Sequence, residues 1–444
     1  MHTGNCGMVS PCERAIVILL VILSVAGVYA NELATLVYPP FKHTWGVHKG
    51  TEAKLDMLLN GATDFDNPQG AAVTRLEALD NPKNTKDDDE LTAYGVNAGR
   101  DQIIYNTSMY ALAIFGESGS GKKQFNNPRG IAADPKGDVF MCDTGNRRVV
   151  HLFNTGKKLK WMGTFGEELL VEPHGVAITE AGTLFVTDRE RGTIEIFTYD
   201  GEHVKTLTGF VQPSGIAVDH RAITKSRYSN RWIYVIDSDG TQLRKVSYDG
   251  KLLATSRLSD IPAETGKLSY IALDFYDNAW VTDSISCRIH KFDKDLEYIT
   301  SFGECGDKDG QFNHPTGIAI WRRFGQVVVA ERQSAQYLWI GTDITRFDAE
   351  MGEDRDGNPG MNIHLYLTEH SYITVRIKKD KEVVRELYEH KRYSQGERTL
   401  FWDLTNNSEK RVPAGKYEIE LLLEATYSSY KYFDKTVSIT VDVE

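Results

Sequence analysis

The chain has 444 residues, 41% hydrophobic and 25% charged, with 38 Gly against 13 Pro, 10% aromatic residues and a formal net charge of −11. That length exceeds one ordinary core of about 100–200 residues and points to one large domain plus a smaller one. The acidic balance disfavours a phosphate-backbone partner, which needs clustered Lys and Arg, so no nucleic acid is expected, while abundant glycine and aromatics suit a turn-rich β protein.

At the N-terminus a polar lead carrying Arg14 precedes the apolar run AIVILLVILSVAGV and then Val28-Tyr29-Ala30, with small residues where a signal peptidase reads. Residues 1–30 are therefore expected to be a cleaved signal peptide, and the product secreted, periplasmic or displayed at a cell surface. The run is shorter than the roughly 20 residues of a spanning helix, so membrane contact is expected only if it stays uncleaved. Three cysteines follow it: Cys142, Cys287 and Cys305. An odd set without CxxC spacing is no disulfide framework, and small buried thiols are expected in preference to a Cys287–Cys305 bridge. Residues 31–66 form an N-terminal extension, in which LVYPPFKHTWGVHKG either supplies a closing strand or wraps over one face.

A repeat begins at residue 67. Its starts are NPQGAAV (67–73), NPRGIAA (127–133), EPHGVAI (172–178), QPSGIAV (212–218) and HPTGIAI (314–320), while LSYIALDF (268–275) has lost Pro and Gly. Each start leads through a turn into a β-rich run that ends in an acid, at Asp143, Asp188, Asp237, Asp283 and Glu331. The first copy is interrupted by the polar insertion RLEALDNPKNTKDDDE (75–90) and has Val96-Asn97 where the acid would fall. A second turn and another β-rich run follow, and most copies add a further strand: YALAIFG, KWMGTFG, HVKTLTG and EYITSFG. Three or four short strands bury too little to stand alone, so neighbouring units must pack, and radial closure of six sheets leaves only short edges. Residues 67–341 divided among six copies give about 46 each, near the ~40–50 of propeller repeats.

The pattern PxGIA, then V-x-x-x-D, then an Ile/Val-rich strand ending in Phe, resembles the NHL repeat of six-bladed β-propellers. The resemblance implies an all-β fold with a propeller over residues 67–341. For function it implies little, since the family includes binding scaffolds, RNA binders, sensor modules and a few enzymes.

Histidine carries the first chemical test, because one NHL-type enzyme, the peptidyl-hydroxyglycine lyase, holds zinc through Pro-His positions resembling Pro173-His174. Catalytic zinc needs three convergent protein ligands. The residues assigned to the x of PxG are Gln69, Arg129, His174, Ser214, Tyr270 (by alignment) and Thr316, and one histidine among six cannot build that site. His314 precedes its proline, and His151 and His290 fall on outer strands. The recurring acids, at a strand end before a turn, are expected to accept backbone N–H groups rather than to form a cation ring. Lactonase-like propellers hold a central calcium, but no motif beyond the fold matches them here, so no cofactor or metal is expected. The segment GESGSGKKQF (116–125) lacks phosphate-loop spacing and is expected to be a turn between blades. Because the residue before each innermost strand lies near the channel mouth, Gln69, Arg129, His174, Ser214, Tyr270 and Thr316 are expected to form one polar, mixed-charge rim that holds any ligand.

After Gly341 comes the polar stretch FDAEMGEDRDGNPG (347–360), and residues 342–360 are expected to be a solvated linker. From Met361 onward roughly seven alternating strands suggest a small sandwich over 361–444. WDLTNNSEKRVPAGKYEIEL (402–421) resembles the FlgD-like immunoglobulin domain of secreted bacterial proteins through Trp402-Asp403, Val412-Pro413-Ala414-Gly415 and Tyr417. Leu404 and Glu409 stand where that family usually has glycine, so its tight turn must be built differently. The combined expectation is an exported, bacterial-type binding or surface-interaction scaffold that holds a protein, peptide or glycan, with no catalytic residue assigned. The alternative is a lyase or a lactonase-type hydrolase with a metal at the channel mouth.

Overall fold

The structure is a computed structural model that describes residues 34–40, 48–81, 83, 91–108, 111–218, 232–262 and 266–444. The expected signal peptide lies outside the described residues, as does most of the acidic half of the 75–90 insertion. Among the described residues no helix is long and apolar enough to cross a membrane.

Described strands form six blades and a two-sheet sandwich. Blade 1 holds Pro68–Arg75, Leu91–Asn97, Gln102–Ser108 and Ala111–Phe115; blade 2 holds Pro128–Ala133, Asp138–Asp143, Arg148–Asn154 and Leu159–Phe165. Blade 3 holds Pro173–Ile178, Leu184–Asp188, Thr193–Phe197 and His203–Leu207; blade 4 holds Ile216–Val218, Trp232–Asp237, Gln242–Ser247 and Leu252–Arg257. Blade 5 holds Leu268–Leu273, Ala279–Asp283, Arg288–Phe292 and Tyr298–Phe302. Blade 6 supplies Ile318–Trp321, Gln326–Glu331 and Ser334–Ile340, and borrows its outer strand from the N-terminal extension. There Leu36–Val37 pairs with Trp339 and Ile340, and Lys49–Thr51 pairs with Ser334 to Gln336. Of the two roles foreseen for residues 31–66, the closing strand is the one adopted.

The second strands of blades 2 to 5 are mostly apolar without alternation because both their faces are covered. Val139, Phe140, Met141 and Cys142 have no exposed surface, and the same holds for Ile233 to Ile236. Innermost strands touch in cyclic order, the sixth returning to the first. The repeat's glycine permits this approach: a Cβ on Gly130 would stand 2.6 Å from the His174 carbonyl oxygen and 2.8 Å from the Gly175 Cα, and one on Gly70 2.7 Å from the Arg129 carbonyl oxygen. Threonine hydroxyls join the blades across the same seam, Thr187 to the Ser214 carbonyl at 2.6 Å and Thr144 to the Pro173 carbonyl at 2.6 Å.

The recurring acids do the work expected of them. Asp143 accepts from the Asn126 N–H at 2.7 Å, Asp188 from the Val171 N–H at 2.6 Å, Asp237 from the Val211 N–H at 2.7 Å and Asp283 from the Lys267 N–H at 2.8 Å. In blade 1 the Asn97 side chain takes the same place, accepting from the Asp66 N–H at 2.8 Å. Each carboxylate thus ties the loop entering its own blade to the end of the second strand.

Two expectations fail. Residues 342–360 are not a solvated linker: Ile344–Glu353 is a strand paired with Pro359–Leu367 around a turn capped by Asp354. Its period-2 pattern, with Phe347 and Ala349 packed on the sandwich core, is masked in the sequence by the acids on the outward face. Cys287 and Cys305 are bonded, with Cα atoms 4.9 Å apart, and among the described residues only Cys142 is a buried free thiol. The turn after Asp283 returns beside the end of the outer strand of blade 5, an adjacency that spacing along the chain does not show.

The sandwich packs Ile344–Glu353, Pro359–Leu367 and Gly396–Trp402 against a sheet of Glu382–Tyr393, Ser371–Lys379, Gly415–Ala425 and Asp434–Val443. Trp402 is fully buried and donates Nε1–H to the Thr405 carbonyl at 2.9 Å, while the Tyr417 hydroxyl donates to the Pro413 carbonyl at 2.7 Å. Leu404 and Glu409 both adopt left-handed backbone, at φ 57° and 60°. The turn keeps the geometry that glycine serves but carries side chains through it.

Propeller and sandwich are joined by buried polar groups. Lys291 of blade 5 donates to the Glu369 carboxylate and the Thr368 carbonyl, each at 2.6 Å, with both charged side chains 1% exposed. Tyr276 stacks on His370 with centroids 3.6 Å apart, and the Tyr427 hydroxyl accepts the Phe275 N–H at 3.2 Å.

Candidate functional site

The face that carries the Pro-x-Gly starts also carries the turns after the recurring acids, so two rows of side chains surround the channel mouth. Gln69, Arg129, His174, Ser214 and Thr316 occupy the x row. Tyr270 does not. Leu268 pairs with Asp283 as Pro128 pairs with Asp143 and Pro173 with Asp188, which makes Ser269 the x residue of blade 5 and puts Tyr270 in the glycine row. The Gly215 contacts agree, since a Cβ there would meet the Ser269 carbonyl oxygen at 2.8 Å and the Tyr270 Cα at 2.9 Å.

A tyrosine in a row of glycines fills the space that five glycines leave. Tyr270 is 7% exposed, its hydroxyl donates across the channel to the Gln69 Oε1 at 3.2 Å, and its ring lies 5.8 Å from that of His174. Burial raises its phenol well above the ordinary range, so it stays protonated. The structure therefore brings Gln69, His174 and Tyr270 together as a closed floor. Two expected rim residues have other duties: the Thr316 hydroxyl donates to the Pro68 carbonyl at 2.9 Å, and Ser214 is 8% exposed with its carbonyl taken by Thr187.

Burial first, and then the positive charges of Arg129, Arg189 and Lys267, push the His174 pKa down to about 3, so its ring is neutral at ordinary pH. Arg189 and Lys267 share one acid, Asp239: Lys267 Nζ lies 2.9 Å from Oδ1, and Arg189 bonds the same oxygen. The Lys267 hydrogen bond leads the effects that hold the Asp239 carboxyl below its ordinary range. Arg189, Asp239 and Lys267 escaped the sequence reading, although Arg189 follows a recurring acid and the position after each acid is as regular as the x position. Beside the floor lies a cavity of about 490 Å³ lined by Asp66, Asn67, Ser284, His314, Thr316 and Arg332, among others. Its volume falls within the ~300–1,000 Å³ of small-ligand sites.

Among the described residues no three His, Cys, Asp or Glu side chains converge into a metal-binding group. One serine–histidine–acid alignment exists away from the mouth, with His290 2.7 Å from the Ser301 hydroxyl and 3.2 Å from Asp283. There the histidine and acid are wholly buried, and Asp283 already accepts backbone N–H groups from Lys267, Ile285 and Ser286. Burial works to raise that carboxyl, but the His290 and backbone hydrogen bonds outweigh it and hold the pKa down to about 2. A corresponding outer-strand pair in blade 3, Glu195 with Thr206 at 2.6 Å, marks the arrangement as a way of satisfying buried polar groups.

Comparison with known proteins agrees with the blade register. The sequence model of the NHL repeat matches residues 125–152 and 170–197, the bodies of blades 2 and 3. The protein brain tumor of Drosophila melanogaster is 31% identical over 84 residues, which are 19% of this chain and 8% of that protein, so the match spans a small part of the relative. Among solved structures, a structural-genomics protein of unknown function from Bacteroides thetaiotaomicron superposes with a TM-score of 0.48 at 14% identity, covering 68% of this chain and 75% of its own. Virginiamycin B lyase from Staphylococcus aureus superposes with a TM-score of 0.41 at 13% identity, covering 56% of this chain and 76% of its own. The chain is thus a six-bladed β-propeller with a C-terminal sandwich, and its second and third blades match the NHL repeat.

Proposed function

We propose that this protein is an exported scaffold that binds a protein or peptide at the channel mouth of its propeller. The observation that carries the reading is the Tyr270 floor: it closes the channel into a shallow cup ringed by non-equivalent side chains, a form suited to recognising part of a larger ligand. NHL repeats commonly serve protein interaction, which supports the same reading. Export is supported by the apolar N-terminal run and by the Cys287–Cys305 bond, since disulfides persist in oxidising compartments. We read the C-terminal sandwich as a FlgD-like immunoglobulin module, on its buried Trp402 and the Tyr417–Pro413 hydrogen bond, which resembles the tyrosine corner of such folds. Docked through Lys291 and Glu369, it acts as a rigid mount rather than a flexible spacer.

The test is affinity capture with the full chain as bait from the exported proteins of its source. Capture should be lost in R129A/K267A and retained in K416A, a change on the exposed face of the sandwich. Capture that survives R129A/K267A but fails in K416A would move the binding surface off the propeller and sink the proposal.

A further inference from the structure

The chain is acidic overall, and its channel mouth carries the cations Arg129, Arg189, Lys267 and Arg332 beside the acids Asp66, Glu172, Glu190 and Asp239. Arg189 and Lys267 divide one carboxylate, Asp239, between them. No ion pair or hydrogen bond engages the guanidinium of Arg129 or of Arg332 among the described residues. The acid of the cavity, Asp66, lies 3.7 Å from Arg100, whose guanidinium is itself paired with Asp64. Arg129 is partly buried beside the uncharged His174, and Arg332 borders the 490 Å³ cavity with the hydroxyl of Ser284. Two guanidinium groups without acids, the exposed Arg332 of blade 6 at the cavity and the half-buried Arg129 of blade 2, form discrete anion positions at the mouth.

Carboxylates fit these positions better than a phosphate chain does. Guanidinium binds a carboxylate through two parallel hydrogen bonds. A polynucleotide needs a continuous basic track, whereas here Asp66 and Asp239 interrupt the track. We propose that the mouth binds an acidic peptide, with one side-chain carboxylate on Arg332 at the cavity and another on Arg129, one blade further round the mouth than the cavity's Asn67; this rests on the scaffold reading above.

The test uses the full chain and fluorescein-labelled hexaglutamate with an amidated C-terminus, read by fluorescence anisotropy. Binding should weaken as salt rises. It should fall about tenfold or more in R129Q and in R332Q, the loss expected for a charge-assisted pair, and stay unchanged in K416Q. A second arm, hexaglutamine with a free C-terminus, separates a chain-terminal carboxylate from side-chain ones. The proposal is overturned if hexaglutamate fails to bind at millimolar concentration, if both Arg variants bind like the parent, if the hexaglutamine arm binds as well, or if an oligouridylate binds in its place. Each of those results leaves the capture experiment free to succeed with a ligand that meets Arg129 and Lys267 through groups other than acidic side chains, so the scaffold reading is judged separately.

Discussion

His174 shows how one residue's surroundings become a property of the whole protein. Its pKa is held at about 3 against 6.5 for the free side chain, first by burial and then by Arg129, Arg189 and Lys267. The unfolded chain therefore takes up a proton at a pH where the folded one does not. For a histidine whose folded pKa is lowered, the associated stability is complete above about pH 6.5 and is lost as the pH falls towards 3. Between pH 7 and pH 5 this amounts to about 2 kcal/mol at ~1.4 kcal/mol per unit. Urea unfolding at the two pH values should show that loss in the parent and little of it in H174Q; an equal loss in both would mean that the neutral ring is not responsible. The presence of His174 at the mouth was legible in EPHGVAI, but its neutrality was not. Arg189 reaches His174 through the Pro173–Asp188 pairing within blade 3, and Lys267 comes from the entry to blade 5, brought near only by the packing of blades.

At the scale of the strand and its seam, the repeat's glycine matters more than its variable neighbour. Gly130 faces the backbone of blade 3 at distances a methyl group cannot share, 2.6 Å to the His174 carbonyl oxygen and 2.8 Å to the Gly175 Cα. Backbone cannot swing aside as a flexible side chain can. G130A should therefore destabilise the propeller by about 1–3 kcal/mol, the usual range for overpacking, seen as a lower denaturant midpoint. A midpoint equal to the parent's would show that the seam can widen without loss. Period-2 alternation and recurring acids made the blades readable in the sequence. Two elements hid from it for opposite reasons. Ile344–Glu353 carries so many outward acids that it resembles a linker, and LSYIALDF lost the Pro-Gly pair that would have fixed its register. That lost register is why Tyr270 was expected on the rim and is found in the floor.

For the whole molecule, the decisive contact is the buried pair Lys291–Glu369, which ties the sandwich to blade 5. Removing one partner strands a buried charge, which commonly costs about 3–5 kcal/mol, whereas replacing both with apolar residues is often close to neutral. K291M should thus split thermal unfolding into two transitions and expose the sandwich to limited proteolysis, while K291M/E369L should restore a single transition. If K291M unfolds as cooperatively as the parent, the two parts are held by the aromatic contacts around Tyr276 and His370 instead.

The sequence by itself determined the architecture: six recurrences of one strand pattern can bury their apolar faces only against each other, and a second alternating tract must form its own core. Those are local periodicities, and a chain displays them in order. Tertiary structure alone decided what the mouth is. It took closure by residues 36–37 and 49–51, the one-residue register of blade 5, the Cys287–Cys305 bond and the meeting of Arg129, His174, Lys267 and Asp239. Each of these depends on which distant segments become neighbours, and electrostatics and packing act through space, without regard to separation along the chain.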